Sequence, residues 1–150
     1  MPLKKLINYW QQVRAGTLAT IDKFTDEDLS FTPFEDSWNV AQIMLHIAQE
    51  ELGEVKYGLE QSLTDWPDEF LFEEYAKIEA ITNLLDEVHA GTEQYISSVQ
   101  VEDLQREIIT PWSQTVHIED MLLHTIEHEI HHRGELSLIL GLLGRKGLDA

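Results

Sequence analysis

Apolar residues recur at intervals of three and four along most of this 150-residue chain. That spacing places them on one face of an α-helix, whereas a strand would need every second residue to be apolar. Four long segments carry the helical pattern, and there is almost no strand signal. Amphipathic helices bury their apolar faces most simply against one another, so we predict an all-α four-helix bundle that forms a single domain over residues 1–150.

Local signals set the boundaries of the predicted helices. The first helix ends near Phe24, before the loop "TDEDLSFTPFEDSW". Asn39 is predicted to cap the second helix, with Gln42 reaching back from three residues later as in a capping box. The third helical pattern lies within residues 75–99. We predict a turn or a short extended piece around Pro111, and the last helix follows it.

Composition and charge exclude several classes of protein. The 28 acidic residues outnumber the 10 basic ones, and a net charge of −18 repels phosphate backbones, so we expect no nucleic-acid partner. The chain has no cysteine, so any thiol chemistry must use sulfur from a small molecule. The start "MPLKKLINYWQQ" lacks the apolar core of a signal peptide, and no stretch approaches the ~18 apolar residues of a membrane span. We therefore expect a cytoplasmic protein with no membrane partner.

Histidines are concentrated in the last helix. The stretch "HTIEHEIHHRGEL", residues 124–136, holds four of the chain's seven histidines. At about 100° per residue, His132 falls within roughly 10 to 20° of the centre of the apolar stripe, and His128 about 50° from it. His124 and His131 lie roughly 90 to 110° away, at the border with solvent or a neighbouring helix. His128 and His132 are therefore predicted to face inward together, near enough to share one ion.

The second helix offers a third donor in "QIMLHIAQE". His46 lies at the edge of the buried stripe, and Glu50 follows it by one turn. Three neutral imidazoles suit Zn, Ni, Fe or Mn and leave positions open for water or substrate. Glu50 could accept a histidine N–H or a substrate proton, or face solvent. The pattern favours a catalytic metal site over a closed structural one.

The order of "SWNVAQIMLH", a long third helix and "HTIEHEIHHRGEL" resembles the DinB/YfiT-like metalloenzymes over nearly the whole chain. In that family one histidine on the second helix and an HxxxH pair before Arg-Gly on the last helix hold the metal. The resemblance implies His46, His128 and His132 as ligands, with Zn or Ni the preferred divalent ion and Fe or Mn as further candidates. This chain has Glu135 where the family usually has Gln, and that carboxylate either orients a histidine or faces solvent.

The resemblance implies a metal-dependent transferase or isomerase acting on a small-molecule substrate, in some members with a low-molecular-weight thiol. A divalent ion can lower the pKa of such a thiol and present it to an electrophile. The same ion could instead activate water for hydrolysis, with Glu50 or His124 as the proton acceptor, so both are candidate catalytic residues. A third hypothesis is a non-catalytic metal-binding bundle. Under all three hypotheses we expect a homodimer.

The remaining histidines and the tryptophans receive structural interpretations. His89 and His117 are predicted to be ordinary surface residues, and His131 a residue of the helix surface or a neighbour of the ligands. The four tryptophans are predicted to anchor the core and the loops. They are Trp10, Trp38, Trp66 and Trp112. Trp66 and Trp112 lie in connectors and could also line a pocket.

Overall fold

The computed structural model describes residues 2–147, in which four long helices pack into a bundle. The fourth helix contacts the first two, and the second also contacts the third. The prediction of an all-α four-helix bundle is confirmed. The first helix ends at Ile21, before Phe24, and the third begins only at Ile78 because a 3-10 turn precedes it. The helices are α1 (Leu3–Ile21), α2 (Val40–Leu52), α3 (Ile78–Ser98) and α4 (Ile118–Leu142).

The capping box predicted for the second helix is present. The backbone N–H of Gln42 donates to the Asn39 side chain at 2.8 Å, and the Asn39 N–H donates to Gln42 Oε1 at 2.9 Å. The helix does not continue as a regular α-helix, because a π-helical segment, Gly53–Leu59, follows Leu52. A side chain at Gly53 would overlap the ring of Trp66, which packs against the backbone there. The wider π turn follows the helix that carries His46.

The predicted extended piece is a small hairpin between α3 and α4. Strand β1 (Glu107–Ile109) pairs antiparallel with β2 (Thr115–His117), and Ile108 lies opposite Val116. The hairpin turn carries Trp112, and β2 leads straight into α4. Three 3-10 segments complete the described structure. They are Asp26–Ser30, Phe72–Glu74 and Val101–Gln105.

The core consists of two apolar clusters, one toward each end of the bundle. One gathers the start of α2 and α3 with the end of α4, around Met44 and Leu85. The other gathers the start of α1 and α4 with the end of α3, around Trp10 and Met121. Within residues 2–147 no helix is long and apolar enough to cross a membrane.

A charged layer lies between the two apolar clusters and contains one residue from each of the four helices. We call these residues the buried charged layer; they are Arg14, Glu51, His89 and Glu129. The expectation that His89 lies on the surface is wrong: only 9% of it is exposed, and its Nδ1 lies 2.8 Å from Glu51 Oε1. A buried imidazole is stable there because a carboxylate satisfies its ring nitrogen.

Candidate metal centre

Three histidines from two helices meet beside the charged layer. Nε2 of His128 lies 3.1 Å from Nε2 of His46 and 3.1 Å from Nε2 of His132. Two nitrogens bound to one tetrahedral ion at 2.0–2.1 Å would be about 3.3 Å apart, so the observed spacing suits such an ion. The structure thus brings together the three residues that the sequence singled out as ligands.

Hydrogen bonding alone does not account for this cluster. A neutral imidazole carries one proton, and each of the three rings turns Nε2 toward the others. His128 Nε2 can donate to only one of its two neighbours at a time. The Nδ1 atom of His132 lies 2.6 Å from Glu135 Oε2, which favours a proton on Nδ1 and leaves Nε2 as a bare acceptor. Such a set of converging lone pairs is what a divalent cation requires.

Carboxylates stand behind two of the three rings. Glu135 orients His132 through Nδ1, so the Glu that replaces the usual Gln contacts a candidate ligand and does not merely face solvent. The same carboxylate lies 3.3 Å from His131 Nε2 through its other oxygen. Glu50 Oε1 lies 3.9 Å from His46 Nδ1, too far for a hydrogen bond but near enough for electrostatic attraction. A carboxylate behind a ligating histidine fixes its tautomer and increases its basicity.

His131 and Glu135 also form a second group of potential donors with His132 among the described residues. This group shares His132 with the three-histidine cluster. Here His132 contributes its other ring nitrogen, Nδ1, which faces Glu135. The side chain of His131 is 66% exposed, as its predicted position at the helix border implies. The three-histidine cluster is the better candidate because only there do several imidazole nitrogens converge without a carboxylate to explain them.

Trp38 borders the centre, contrary to its predicted role as a core or loop anchor. Its side chain is substantially exposed, and its ring centroid lies 4.6 Å from that of His46 and 6.2 Å from that of His132. Trp38 also lines two cavities. One of about 250 Å³ is lined by His46 and the segment 69–73, and the other of about 600 Å³ is mainly apolar. His46 therefore borders a space that a small molecule can enter.

Burial keeps two imidazoles of the centre, those of His46 and His128, neutral. Burial lowers the pKa of His46 to about 4, with repulsion from His132 as a further cause. Burial also lowers the pKa of His128 to about 3, reinforced by the neighbouring histidines. Both rings are therefore uncharged at neutral pH, the form in which imidazole binds a metal.

These shifts predict how pH acts on the metal-free protein. The pKa of His128 is about 3 when folded and about 6.5 when unfolded, so below pH 6.5 the unfolded chain binds a proton that the folded chain does not. The resulting contribution to stability is fully present above pH 6.5 and is lost as the pH falls toward 3. Because His128 is partly solvated, the loss is at most about 1.4 kcal/mol per pH unit.

Urea unfolding in EDTA at pH 7.5, 6 and 5 measures this loss. The His128→Gln variant has no titrating group at this position and serves as the matched control. As the pH falls, we expect the free energy of unfolding to decrease more for wild type than for the variant. Parallel stability curves for the two proteins would contradict the depressed pKa.

The candidate catalytic residues Glu50 and His124 lie close to the three-histidine cluster. Burial, and next the charge of Glu54, raise the pKa of Glu50. His124 precedes His128 by one helical turn, and its side chain is about half exposed. Its Nδ1 lies 2.8 Å from Glu54 Oε1, a buried carboxylate that the sequence reading did not single out. The Trp112 ring packs against His124 with centroids 5.2 Å apart, so this tryptophan does border the region.

The helical pattern alone does not reveal the buried charged layer, because Arg and Glu on a helix usually face solvent. Arg14 donates to Glu129 Oε1 at 2.9 Å and to Oε2 at 3.0 Å, and it also donates to Glu51. Trp10 Nε1 donates to Glu129 at 3.2 Å. One signal could have found Arg14: it lies four residues after Trp10 and three before Thr17, within the apolar stripe of the first helix.

Charge pairing explains how this layer tolerates burial. Burial by itself lowers the pKa of Arg14, but Glu51 and Glu129 outweigh it, and the net shift is upward. Burial raises the pKa of Glu51, but Arg14 and next His89 outweigh it, so the net shift is downward. Arg14 and Glu51 therefore stay charged at neutral pH. Since Glu51 follows Glu50 and Glu129 follows His128, the layer ties together the helices that carry the centre.

The fold and the site define the protein as a four-helix bundle with a candidate three-histidine metal centre. The model of the DinB family matches residues 1–149, and the chain belongs to that family. A DinB-like protein from Bacillus cereus is similar in structure, with a TM-score of 0.80, 18% identity, and coverage of 98% of this chain and 96% of the other. A DinB-like protein from Bacillus subtilis has a TM-score of 0.75 and 20% identity, covering 97% and 96%.

A mycothiol-dependent maleylpyruvate isomerase also shares the fold. Its TM-score is 0.66 at 13% identity, and the match covers 88% of this chain and 60% of the isomerase. This chain thus spans under two thirds of that enzyme's length. At these identities the structural likeness shows the fold alone. No curated protein sequence matches the chain.

Proposed function

We propose that this protein is a divalent-metal-dependent enzyme that activates a low-molecular-weight thiol for transfer to an electrophile. The observation that carries the proposal is the convergence of three Nε2 atoms, with both contacts of His128 at 3.1 Å. Zn and Ni suit an all-imidazole donor set best. Three protein ligands leave at least one coordination position for a small molecule.

The residues around the centre would prepare it for this role. His46, His128 and His132 would hold the ion through Nε2, and Glu135 would orient His132. An ion bound there lowers the pKa of a thiol that reaches its open position. Glu50 and His124 are the candidate acceptors for the thiol proton. The chain itself has no cysteine, so the thiol must come from a small molecule.

Two further observations support the choice of chemistry. A protein of the same fold is described as a mycothiol-dependent isomerase, although that likeness alone transfers no activity. The cavity of about 600 Å³ next to Trp38 is lined mainly by apolar side chains, which suits an electrophile with an apolar body. Its apolar lining includes Phe34, Trp38, Ile43, Leu138 and Leu142.

The experiment loads chelator-stripped protein with Co(II), which reports its ligands through its visible spectrum, and adds 2-mercaptoethanol. We expect stoichiometric loading and a spectral change as the thiol enters the open position. Zn- or Ni-loaded protein is then assayed with thiol and an epoxide or a chlorinated aromatic compound, and we expect turnover that chelation abolishes and added metal restores. The His117→Ala variant, altered at a histidine outside the centre, is the matched control.

Each outcome discriminates between the hypotheses. Failure of the wild type to bind the ion would overturn the metal centre. Loading that raises the melting temperature but leaves the spectrum unchanged by thiol or azide would favour the non-catalytic metal-binding bundle, and size-exclusion chromatography would then test whether it is a dimer. The raised pKa of Glu50 beside His46 favours one second candidate, a metal-dependent hydrolase with Glu50 as the base. Turnover of esters or amides without thiol would support that alternative.

A further inference from the structure

We propose that Glu54 and His124 form a dyad in which the buried carboxylate fixes the imidazole with a bare Nε2, ready to accept the proton of the ligand bound at the three-histidine centre. This inference rests on the proposed function for the identity of that ligand. Glu54 is a positioning residue, since it would act through His124 and does not face the ligand. The proposal selects His124 over Glu50 as the proton acceptor.

The contact between the two side chains is the first observation. His124 Nδ1 lies 2.8 Å from Oε1 of Glu54, and Glu54 is fully buried while the His124 side chain is 48% exposed. No donor among the described residues meets hydrogen-bond geometry at this oxygen of Glu54, and the His124 ring is the donor beside it. Rotation of the half-exposed ring would align its N–H with the oxygen, and a buried carboxylate oxygen without a donor is costly. The proton is therefore held on Nδ1, next to Glu54.

The other oxygen of Glu54 is already fixed. The Thr125 hydroxyl lies within hydrogen-bonding distance of Oε2, and the same hydroxyl is 3.0 Å from the backbone oxygen of Met121. Thr125 and the π-helical segment Gly53–Leu59 thus hold the carboxylate in one orientation. Oε1 is left pointing at His124. A carboxylate fixed in this way selects one tautomer of the histidine it contacts.

Position makes the exposed edge of His124 useful. His124 and His128 are four residues apart on α4, so their side chains are neighbours on one helix face. His124 also contributes to the lowered pKa of His128, as a positive charge close to that ring would. A cavity of about 320 Å³ beside His124 is walled by Trp112 and Val116 of the hairpin. The imidazole thus lines an accessible space and lies one helical turn from His128.

Carboxylates from three elements face His124. From α2 it faces Glu50, from the π segment Glu54, and from α4 itself Asp120 and Glu127, all of which carry carboxylates. The hairpin contributes Trp112 and Gln114, which are uncharged. Burial raises the pKa of Glu54, and the nearby His124 opposes that shift. A carboxylate beside an imidazole stabilises the cation that forms when the ring accepts a proton.

The chemical step is a proton transfer. The S–H bond of the thiol breaks, its electron pair stays on sulfur, and the proton forms a bond to Nε2 of His124. The imidazole becomes a cation, and the negative charge of the neighbouring Glu54 carboxylate stabilises it. No oxidant, reductant or further reactant is needed.

The first arm of the test is NMR of the full-length, metal-free protein with ¹⁵N-labelled histidine at pH 8. Two-bond ¹H–¹⁵N spectra report which ring nitrogen carries the proton, and the His124→Gln variant assigns the signals. We expect the proton of His124 on Nδ1 in wild type and in the control Glu127→Gln, which removes an exposed carboxylate three residues away. In Glu54→Leu we expect it on Nε2. A wild-type proton on Nε2, or an unchanged tautomer in a helical Glu54→Leu variant, would overturn the dyad.

The second arm counts protons and needs no Glu54 variant to fold. Calorimetry of 2-mercaptoethanol binding to Zn-loaded protein at pH 8, in buffers of different ionisation enthalpy, gives the protons released per thiol. We expect close to one proton more from His124→Gln than from wild type and from Glu127→Gln. Equal release from wild type and His124→Gln would overturn His124 as the acceptor. Failure of wild type to bind zinc would instead remove the proposed function, and the tautomer measurement would still decide whether the dyad exists.

Discussion

Replacing His132 by Ala is expected to abolish stoichiometric metal binding while leaving the bundle folded. His132 supplies one of three converging nitrogens, and Glu135 already holds its ring in place for that purpose. Changes beside a ligand cost about 10- to 100-fold in metal affinity, so loss of a ligand itself should cost at least about 100-fold. The same loss is expected for His46→Ala and His128→Ala. Elemental analysis after dialysis against limiting zinc measures it, with helicity checked by circular dichroism.

The neighbouring His131 provides the matched control. It lies on the same helix, one residue from His132, yet it points about 100° away and is mostly exposed. His131→Ala should retain zinc close to the wild-type level. Loss of metal from His131→Ala together with retention in His132→Ala would show that the face assignment is wrong. Retention in all four variants would eliminate the three-histidine centre.

The features that could be predicted from sequence depend on regular helical geometry. The 3.6-residue period fixes which way successive side chains point, so the inward direction of His128 and His132 followed from their spacing alone. The capping box at Asn39 followed from residue types three apart. The meeting of His46 with the other two required only that α2 and α4 be neighbours, as they are.

Features that depend on departures from that geometry could not be predicted. The regular period extends the second helix unchanged past Leu52, but the observed π turn follows, and Glu54 lies within it, fully buried. No local signal marks this turn, because the Trp66 ring that packs on Gly53 comes from a distant loop. Trp38 likewise reads as an apolar anchor, and only the packing of its loop places it against His46.

The buried charged layer was missed for a different reason. Arg and Glu are rarely buried, so a charged residue on a helix is normally read as solvated. Burial becomes tolerable only when partners from other helices neutralise it, and a single helix does not reveal them. Arg14 finds Glu51 on α2 and Glu129 on α4, and His89 completes the set from α3. Sequence separations of 37 and 115 residues lie between Arg14 and its two carboxylate partners.

Arg14→Ala is expected to be the most destabilising single substitution considered, because it leaves two buried carboxylates without their cation. Breaking a buried ion pair by removing one partner costs about 3 to 5 kcal/mol, and for a chain of this length that lowers the melting temperature by roughly 10 °C. Arg14 also donates to the Leu85 carbonyl oxygen at 3.2 Å, so the contact with α3 is lost as well. Calorimetric and urea unfolding of the metal-free protein measure the change.

Arg145→Ala is the matched control, since Arg145 is partly exposed and its removal opens its partner Asp28 to solvent. Arg145→Ala should lower the free energy of unfolding much less than Arg14→Ala does. A second comparison separates charge from packing: Arg14→Ala should recover stability as the pH is lowered enough to protonate Glu51 and Glu129, whereas wild type should not gain. Equal destabilisation by the two arginine substitutions, or no pH-dependent recovery, would show that the layer does not hold the four helices together through its charges.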